Sequence, residues 1–331
     1  MADSAVALTP EVDVACAVCG ELAADEVASP ETLAAQAELA RRFHRARLTR
    51  RSRAALEERA SFTQDYPTRL LACRACGLLY RSPRPAAGAV LRAYESDRYP
   101  AERLPQMIAS QRALFRPKAR ALAAQLGRGA RVLEVGSFVG GFLAEARAAG
   151  LEAIGIDPGE QAVEICRRLG LPLVRGTLEN EPALADFDAV AIWNTFDQLP
   201  RPRESLAAAL RVLRPGGRLL LRFPHGACFA RWLRRRPLPV RALAWNNLLG
   251  FPYLHGFGLA SLDSLAREFG LTRTALAGDV LGGVADRLYA PWARVEERAV
   301  KAALRARFAH DPGAAPWLDV ELVSRRRARA A

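Results

Sequence analysis

The segment "RVLEVGSFVGGFLAEARAAGLEAIGIDPGEQ", Arg131 to Gln161, decides the fold. "RVLEVG" is an apolar run of strand length, broken by Gly136, Gly140 and Gly141. "GFLAEARAAG" then has helical spacing, and "EAIGID" returns as a strand ending on Asp157. A glycine turn between strand and helix exposes backbone amides to a ligand, and an acid about twenty residues on can accept ribose hydroxyls. Several nucleotide-like cofactors use such a loop. A dinucleotide fingerprint would need glycines at 136, 138 and 141, and Phe138 breaks it. The missing glycine is the one that lets backbone approach a pyrophosphate. Glu134, inside the strand end, also departs from the small or apolar residue expected of a nicotinamide site.

Downstream, "PLVRG", "FDAVAIWN" and "GRLLLRFP" fit buried strands, separated by the amphipathic stretches "GEQAVEICRRLG" and "RESLAAALRVL". "SLDSLAREFG" and "LTRTALAG" add a helix and a strand. This alternation predicts an α/β fold, a doubly wound and mostly parallel sheet with right-handed crossovers. Ligands of such sheets bind at the carboxyl ends of the strands. Upstream, "AVLRAYESDRY" and "QMIASQRALFRPKARALAAQL" read as helices, and "LLYRSPRPAAG" as a stiff connection. The resulting division is a zinc-binding module with a helical insertion (1–85), a helical lid or linker (86–129), the core (130–285), and a C-terminal extension, helical and then basic (286–331).

Of six cysteines, four form the pairs "CAVCG" (Cys16, Cys19) and "CRACG" (Cys73, Cys76). Each pair with its glycine suits a knuckle turn, and two knuckles bring four thiolates to one tetrahedral zinc. Between them, "SPETLAAQAELARRFHRARL" predicts a helix capped by Ser29, with Glu31 and Thr32 in its first turn. Cys166 and Cys228 stand on apolar stretches as core residues.

The chain has 331 residues, half of them hydrophobic, and a formal net charge of +13. Lysine occurs only at 118 and 301, so the charge is an arginine bias along the whole chain. Clusters at Arg41–Arg53, Arg234–Arg236 and Arg325–Arg329 read as solvated faces and an end rather than a nucleic-acid groove. No apolar run reaches membrane-spanning length, and the first residues have neither a basic start nor a long apolar core. The expectation is a cytoplasmic protein.

Four stretches, "VLEVGSFVGGF", "GIDP", "FDAVAIWNTFDQLPRP" and "ALRVLRPGGRLLLRFP", in this order and spacing, resemble the motifs of class I S-adenosylmethionine (SAM)-dependent methyltransferases. "CRACGLLYRSPRP" is similar to the N-terminal zinc module of many small-molecule and sugar methyltransferases. The resemblance implies that Glu134 and the loop Gly136, Ser137, Phe138, Gly140 hold the amino-acid end of SAM. It places Asp157 on the ribose, Pro158, Thr177 and Leu178 about the adenine, and Trp193 and Asn194 beneath the methionine portion. That family's loop is E-x-G-x-G-x-G, with Phe138 here at the middle glycine; SAM carries no pyrophosphate to demand it.

Methyl transfer from a sulfonium needs alignment above all, and a base only where the acceptor must lose a proton. "WNTFDQ" stands where nucleobase-amine methylation would place Asn or Asp, two prolines and an aromatic, which leaves oxygen, carbon and other nitrogen acceptors. Candidate acid–base residues are His225 in "RFPHG", His255 in "NNLLGFPYLHGFG", which also holds Asn246, Asn247 and Tyr253, and Asp197 after the fourth strand. His44, among arginines, reads as a surface residue. The expected function is methyl transfer to a sugar, nucleotide sugar or biosynthetic intermediate. The alternatives are an RNA methyltransferase gripping phosphates and a non-catalytic zinc-stabilised scaffold.

Overall fold

A computed structural model describes residues 10–11, 14–49, 67–234, 240–246, 254–281 and 289–324. The N-terminal part begins with β1 (Pro10–Glu11) and β2 (Ala24–Ala28), followed by α1 (Pro30–Arg47). The Ser29 side chain accepts the Thr32 amide at 3.2 Å, the cap the sequence predicts. Then come β3 (Arg69–Cys73), β4 (Leu79–Ser82), β5 (Arg84–Pro85), α2 (Ala87–Ser96) and α3 (Leu104–Leu126). Proline inside α3, at 117, lies in its middle.

The core runs β6 (Arg131–Val135), α4 (Gly141–Ala148), β7 (Glu152–Asp157), α5 (Glu160–Arg168), β8 (Leu173–Arg175), β9 (Phe187–Trp193), α6 (Pro202–Val212) and β10 (Leu213–Pro224). It continues through α7 (Gly226–Arg234), α8 (Val240–Trp245), β11 (His255–Gly256), α9 (Leu259–Glu268), β12 (Leu271–Asp279), α10 (Pro291–Phe308) and β13 (Trp317–Ser324). Seven strands form one sheet in the order β12-β13-β10-β9-β6-β7-β8. The pairs β6–β7, β6–β9, β7–β8 and β9–β10 are parallel; β13 runs antiparallel to both its neighbours.

The period-2 alternation of the strands sorts their side chains between two layers. Leu133, Val135, Val190, Ile192, Leu219, Leu221 and Phe223 pack with α6 and α9 residues such as Leu206, Val212 and Leu265. On the other face Val132, Ala189, Ala191 and Trp193 meet Phe115 and Leu122 of α3 and Phe142 and Leu143 of α4. The same parity places Glu134 and Arg222 on that α3 side.

Besides β1–β5, which fall where the sequence reading has only knuckles, a helix and a connection, two strands depart from it. Residues 286–331 are read there as a helix and a basic tail; the helix is α10, but Trp317–Ser324 is a strand inserted between β10 and β12. Its pattern "WLDVELVS" mixes acids into apolar positions, and both acids meet cations inside the sheet layers: Lys118 pairs with Asp319 and Arg218 with Glu321. The second is β11, which joins β4, β3 and β2 in a four-stranded antiparallel sheet. His44, read as surface, is 8% exposed; its Nδ1 lies 2.9 Å from Tyr289 Oη among Phe43 and Trp245. Its neighbours Arg42 and Arg45 lie on the exposed side of α1 while His44 faces inward, so local composition misleads there.

Candidate functional site

The glycine loop leaves β6 beside the end of β7. A Cβ on Gly136 (φ +76°) would lie 2.5 Å from Thr195 Oγ1, so no larger residue fits. Phe138 has φ +50°, the left-handed backbone that its glycine counterpart would adopt without strain. For a residue with a Cβ this costs about 1–2 kcal/mol. Two contacts offset it. The Phe138 amide donates to Asp157 Oδ2 at 2.8 Å, and the Phe138 ring packs edge-on against Tyr99, centroids 5.0 Å apart. Tyr99 is itself fixed: its amide donates to Gln161 Oε1 at 2.7 Å, and Gln161 Nε2 donates to its carbonyl at 2.8 Å. The ring that replaces hydrogen thus packs on the segment between α2 and α3.

The Asp157 carboxylate is oriented by two amides, from Phe138 and, at 2.8 Å, from Gly159. Each oxygen keeps a further lone pair for a ligand hydroxyl. Glu134 is 3% exposed and its Oε2 has no partner. Burial holds its carboxyl well above the ordinary range, and the neighbouring Asp157 charge adds to this. A buried acid with one oxygen left without a partner suits a ligand ammonium, which would restore its ionised form. Ser137 is buried and donates to the Glu134 carbonyl at 3.3 Å. Gly140 is left-handed (φ +70°) and has Cys166 Sγ against it, 2.9 Å from where a Cβ would sit.

Of the other cofactor candidates, Pro158 and Thr177 are half-buried past the ends of β7 and β8. Leu178 turns into the core on the α6 side with Ile156 and Leu206. Trp193 ends β9 against Phe115 and Phe142, centroids 6.0 and 5.5 Å away. Asn194 (φ +56°) gives its carbonyl to Gln198 Nε2 at 2.5 Å, and Tyr94 Oη of α2 donates to Gln198 Oε1. The segment from Tyr94 to Tyr99, the end of α2 and the turn after it, therefore touches the β9 edge as well as the glycine loop.

Asp197 is fully buried, and neither carboxylate oxygen has a hydrogen-bond partner. Burial pushes it up to about 7, with the Arg222 charge pulling the other way. His225 follows β10; its Nδ1 lies 3.0 Å from the Ala315 carbonyl, to which it donates as the neutral tautomer. Burial pushes His225 down to about 4 and His255 down to about 3, so both are neutral at pH 7. Asn246, also in the apolar loop region, is spent structurally, with Nδ2 on the Ala242 carbonyl and Oδ1 on the Leu281 amide. Asn247 and Tyr253 lie outside the described residues.

The Asp197 shift has a consequence for stability. A carboxyl whose folded pKa is raised is favoured by folding in its protonated form. Its stabilisation is present below its unfolded value near 4 and declines as pH rises towards about 7. Asp197→Asn is expected to flatten the fall in melting temperature between those pH values. An unchanged slope would show that the carboxyl is ionised and solvated.

The four predicted metal ligands converge. Cys16, Cys19, Cys73 and Cys76 have all Sγ atoms within 4.8 Å of one another, and two pairs stand at 3.5 Å. A tetrahedron with Zn–S bonds of about 2.3 Å has edges of about 3.8 Å, so the set fits zinc. Both knuckles close as expected: the Gly20 and Gly77 amides donate to Cys16 and Cys73 carbonyls at 2.9 Å, at φ +74° and +73°. The hydrogen bond between Cys16 and Cys76 lowers the Cys16 thiol and raises that of Cys76.

Arg222 is the site residue that sequence reading passes over, although a charge inside "RLLLRFP" signals a buried partner. It is fully buried; it donates to Asn194 Oδ1 at 2.6 Å and Asp279 Oδ2 at 2.9 Å, with Asp319 Oδ1 at 3.2 Å. Of the arginine clusters, Arg41 and Arg42 pair with Glu38, and Arg47 with Glu296. Arg50–Arg53, Arg235–Arg236 and Arg325–Arg329 lie outside the described residues.

A family model described as a methyltransferase domain matches residues 107–276. The ubiquinone biosynthesis O-methyltransferase of Methylococcus capsulatus is 38% identical over 99 residues, 27% of this chain and 41% of that protein. Its namesake from Hahella chejuensis is 36% identical over 100 residues, 28% of this chain and 42% of that protein. The match thus spans under half the length of these curated relatives. Solved structures with a similar course include a SAM-dependent methyltransferase from Thermotoga maritima (TM-score 0.43, 18% identity, 65% of this chain and 92% of that one). Another, from Archaeoglobus fulgidus, has a TM-score of 0.44 at 14% identity, covering 64% of this chain and 94% of that one.

Proposed function

The chain belongs to the methyltransferase-domain family, and we propose on that footing that it transfers a methyl group from SAM to a small-molecule acceptor. The observation that carries this is the pair of acids on adjacent strand ends: Glu134 buried with its Oε2 unpartnered, and Asp157 oriented by the Phe138 and Gly159 amides. Glu134 with Ser137, Gly136 and Gly140 would receive the amino-acid end, Asp157 the ribose, Pro158 and Thr177 the adenine, and Trp193 and Asn194 the methionine chain. SAM supplies an electrophilic methyl on a sulfonium sulfur. The protein's part is to hold the acceptor in line and, where needed, to take its proton.

Asp197 is the proposed base. A base works best with a pKa near the working pH, and Asp197 at about 7 meets that where His225 at about 4 and His255 at about 3 do not. The two neutral histidines then shape and orient. The acceptor is a hydroxyl or an acidic carbon of a sugar, nucleotide sugar or biosynthetic intermediate; the O-methyltransferase relatives support the hydroxyl. The N-terminal residues 1–85 form the zinc module, 86–129 the lid, and 130–285 with β13 the catalytic core.

Incubating the protein with methyl-labelled SAM and separate small-molecule and RNA extracts tests the reading. Label is expected in a small organic product, with little sensitivity to salt. Label in RNA, falling steeply with salt as counterion release requires, would overturn the substrate class. No transfer to either, with no SAM bound, would leave a zinc-stabilised scaffold.

A further inference from the structure

The three acid–base candidates come from distant parts of the chain, yet one short segment joins them. Within residues 254–258, His255 and Gly256 pair with β4 in the register His255↔Tyr80 and Gly256↔Leu79, and the Arg81 amide donates to the Leu254 carbonyl at 3.3 Å. On a second side the Leu254 amide donates to the Asp197 carbonyl at 3.2 Å. On a third, the Gly226 amide donates to Phe257 O at 2.7 Å, and a Cβ on Gly226 would lie 2.2 Å from Gly256 O. His225 Nε2 lies 3.7 Å from where a Cβ on Gly258 would be. Asp197, His225 and His255 therefore share one support.

That support is the edge strand β11, two residues long, at the end of the order β11-β4-β3-β2. So short a strand has little order of its own and takes it from β4. β4 in turn leaves the second knuckle, where the Cys73 amide donates to Leu78 O at 2.9 Å. Leu78 and Tyr80 are fully buried in one apolar cluster with Cys16, Cys73, Cys76, Phe196 and Phe257. The Phe196 and Phe257 rings stand 4.6 Å apart. The first knuckle is clamped to the core by Arg203, which donates to Val18 O at 2.6 Å and pairs with Glu268.

We propose that metal held by Cys16, Cys19, Cys73 and Cys76 is the positioning element for the acceptor side of the site, fixing Asp197, His225 and His255 through β4 and β11. The inference rests on the reading that these three residues face the acceptor; the cofactor side, β6 to β7, shares the apolar cluster through Leu133, Val135 and Ile156 but takes its order from its own parallel strand pairing. Metal binding contributes folding free energy where it closes its site, so its removal loosens what that site alone holds.

The full chain, purified with zinc and then stripped by a chelator, tests this by amide exchange and SAM calorimetry. Zinc-loaded protein is expected to hold about one metal per chain, with protection over 79–82, 196–199 and 254–258 falling about tenfold on stripping and returning with zinc. Peptides over 131–141 and 152–157 and the SAM affinity are expected to stay within about twofold. Cys19→Ser, at the one exposed ligand, should make the exchange of 254–258 follow the added zinc concentration. Absence of metal overturns the proposal, as does loss confined to the knuckles. Loss of protection everywhere, together with SAM affinity, overturns it too. Failure of the loaded protein to bind SAM would instead overturn the functional reading, with the exchange comparison still decisive here.

Discussion

Asp157→Ala is expected to lower SAM affinity by about 100-fold or more, the loss of charged hydrogen bonds worth about 1.5–3 kcal/mol each. The carboxylate does two jobs in the structure. It accepts from the Phe138 and Gly159 amides at 2.8 Å, and its remaining lone pairs are the proposed ribose contacts. Removing it frees Phe138 from its bond while the strained backbone at φ +50° remains, so the loop relaxes as well. Asp157→Asn separates the effects. One amide oxygen can still accept one backbone N–H, so the variant should retain the fold and lose at least tenfold in affinity, about 1.4 kcal/mol. Calorimetry with SAM, beside a thermal melt, measures both. An alanine variant that binds SAM as the parent does would remove Asp157 from the site.

Arg222→Ala is expected to destabilise the protein by about 3–5 kcal/mol, the range for breaking a buried ion pair by deleting one partner. The guanidinium is fully buried between Asp279 and Asp319, over the Trp317 ring at 4.6 Å, and holds Asn194 Oδ1. Lys118 remains on Asp319 and Arg305, at 3.7 Å, on Asp279, so the acids are not wholly abandoned. Arg222→Lys should recover only part of the loss, because an ammonium lacks the planar fork that bonds Asn194 and Asp279 together. Urea unfolding gives the number. A loss below about 1 kcal/mol would mean that the network behaves like a solvated surface pair. Since Asn194 sits at the end of β9 with a left-handed backbone, a fall in SAM affinity should accompany the loss of stability.

The contrast between these residues marks how far sequence carries. Asp157 is legible because strand, glycine turn, helix and strand are local, and local periodicity fixes where the second strand ends. The cysteine knuckles are legible for the same reason, each with its glycine. Phe138 raised a question that only tertiary structure answers: a ring in place of hydrogen keeps the left-handed backbone by leaning on Tyr99, which belongs to a distant segment. β13 and β11 are not legible in the sequence because their partners are far away. One carries acids that are apolar-equivalent only once Lys118 and Arg218 meet them; the other is two residues long. Asp197, His225 and His255 could be named singly from their places after strand ends, but their common support could not. Leu178, placed with the adenine by resemblance, turns its side chain into the core on the α6 side from the short helical turn that follows β8.

The most direct measurement is a crystal structure with S-adenosylhomocysteine. One molecule is expected across the ends of β6 and β7, its ammonium on Glu134 and its ribose hydroxyls on Asp157, with the Phe138 ring still against Tyr99. Density placed elsewhere, or a Phe138 ring filling the crevice while both acids point away, would contradict the account.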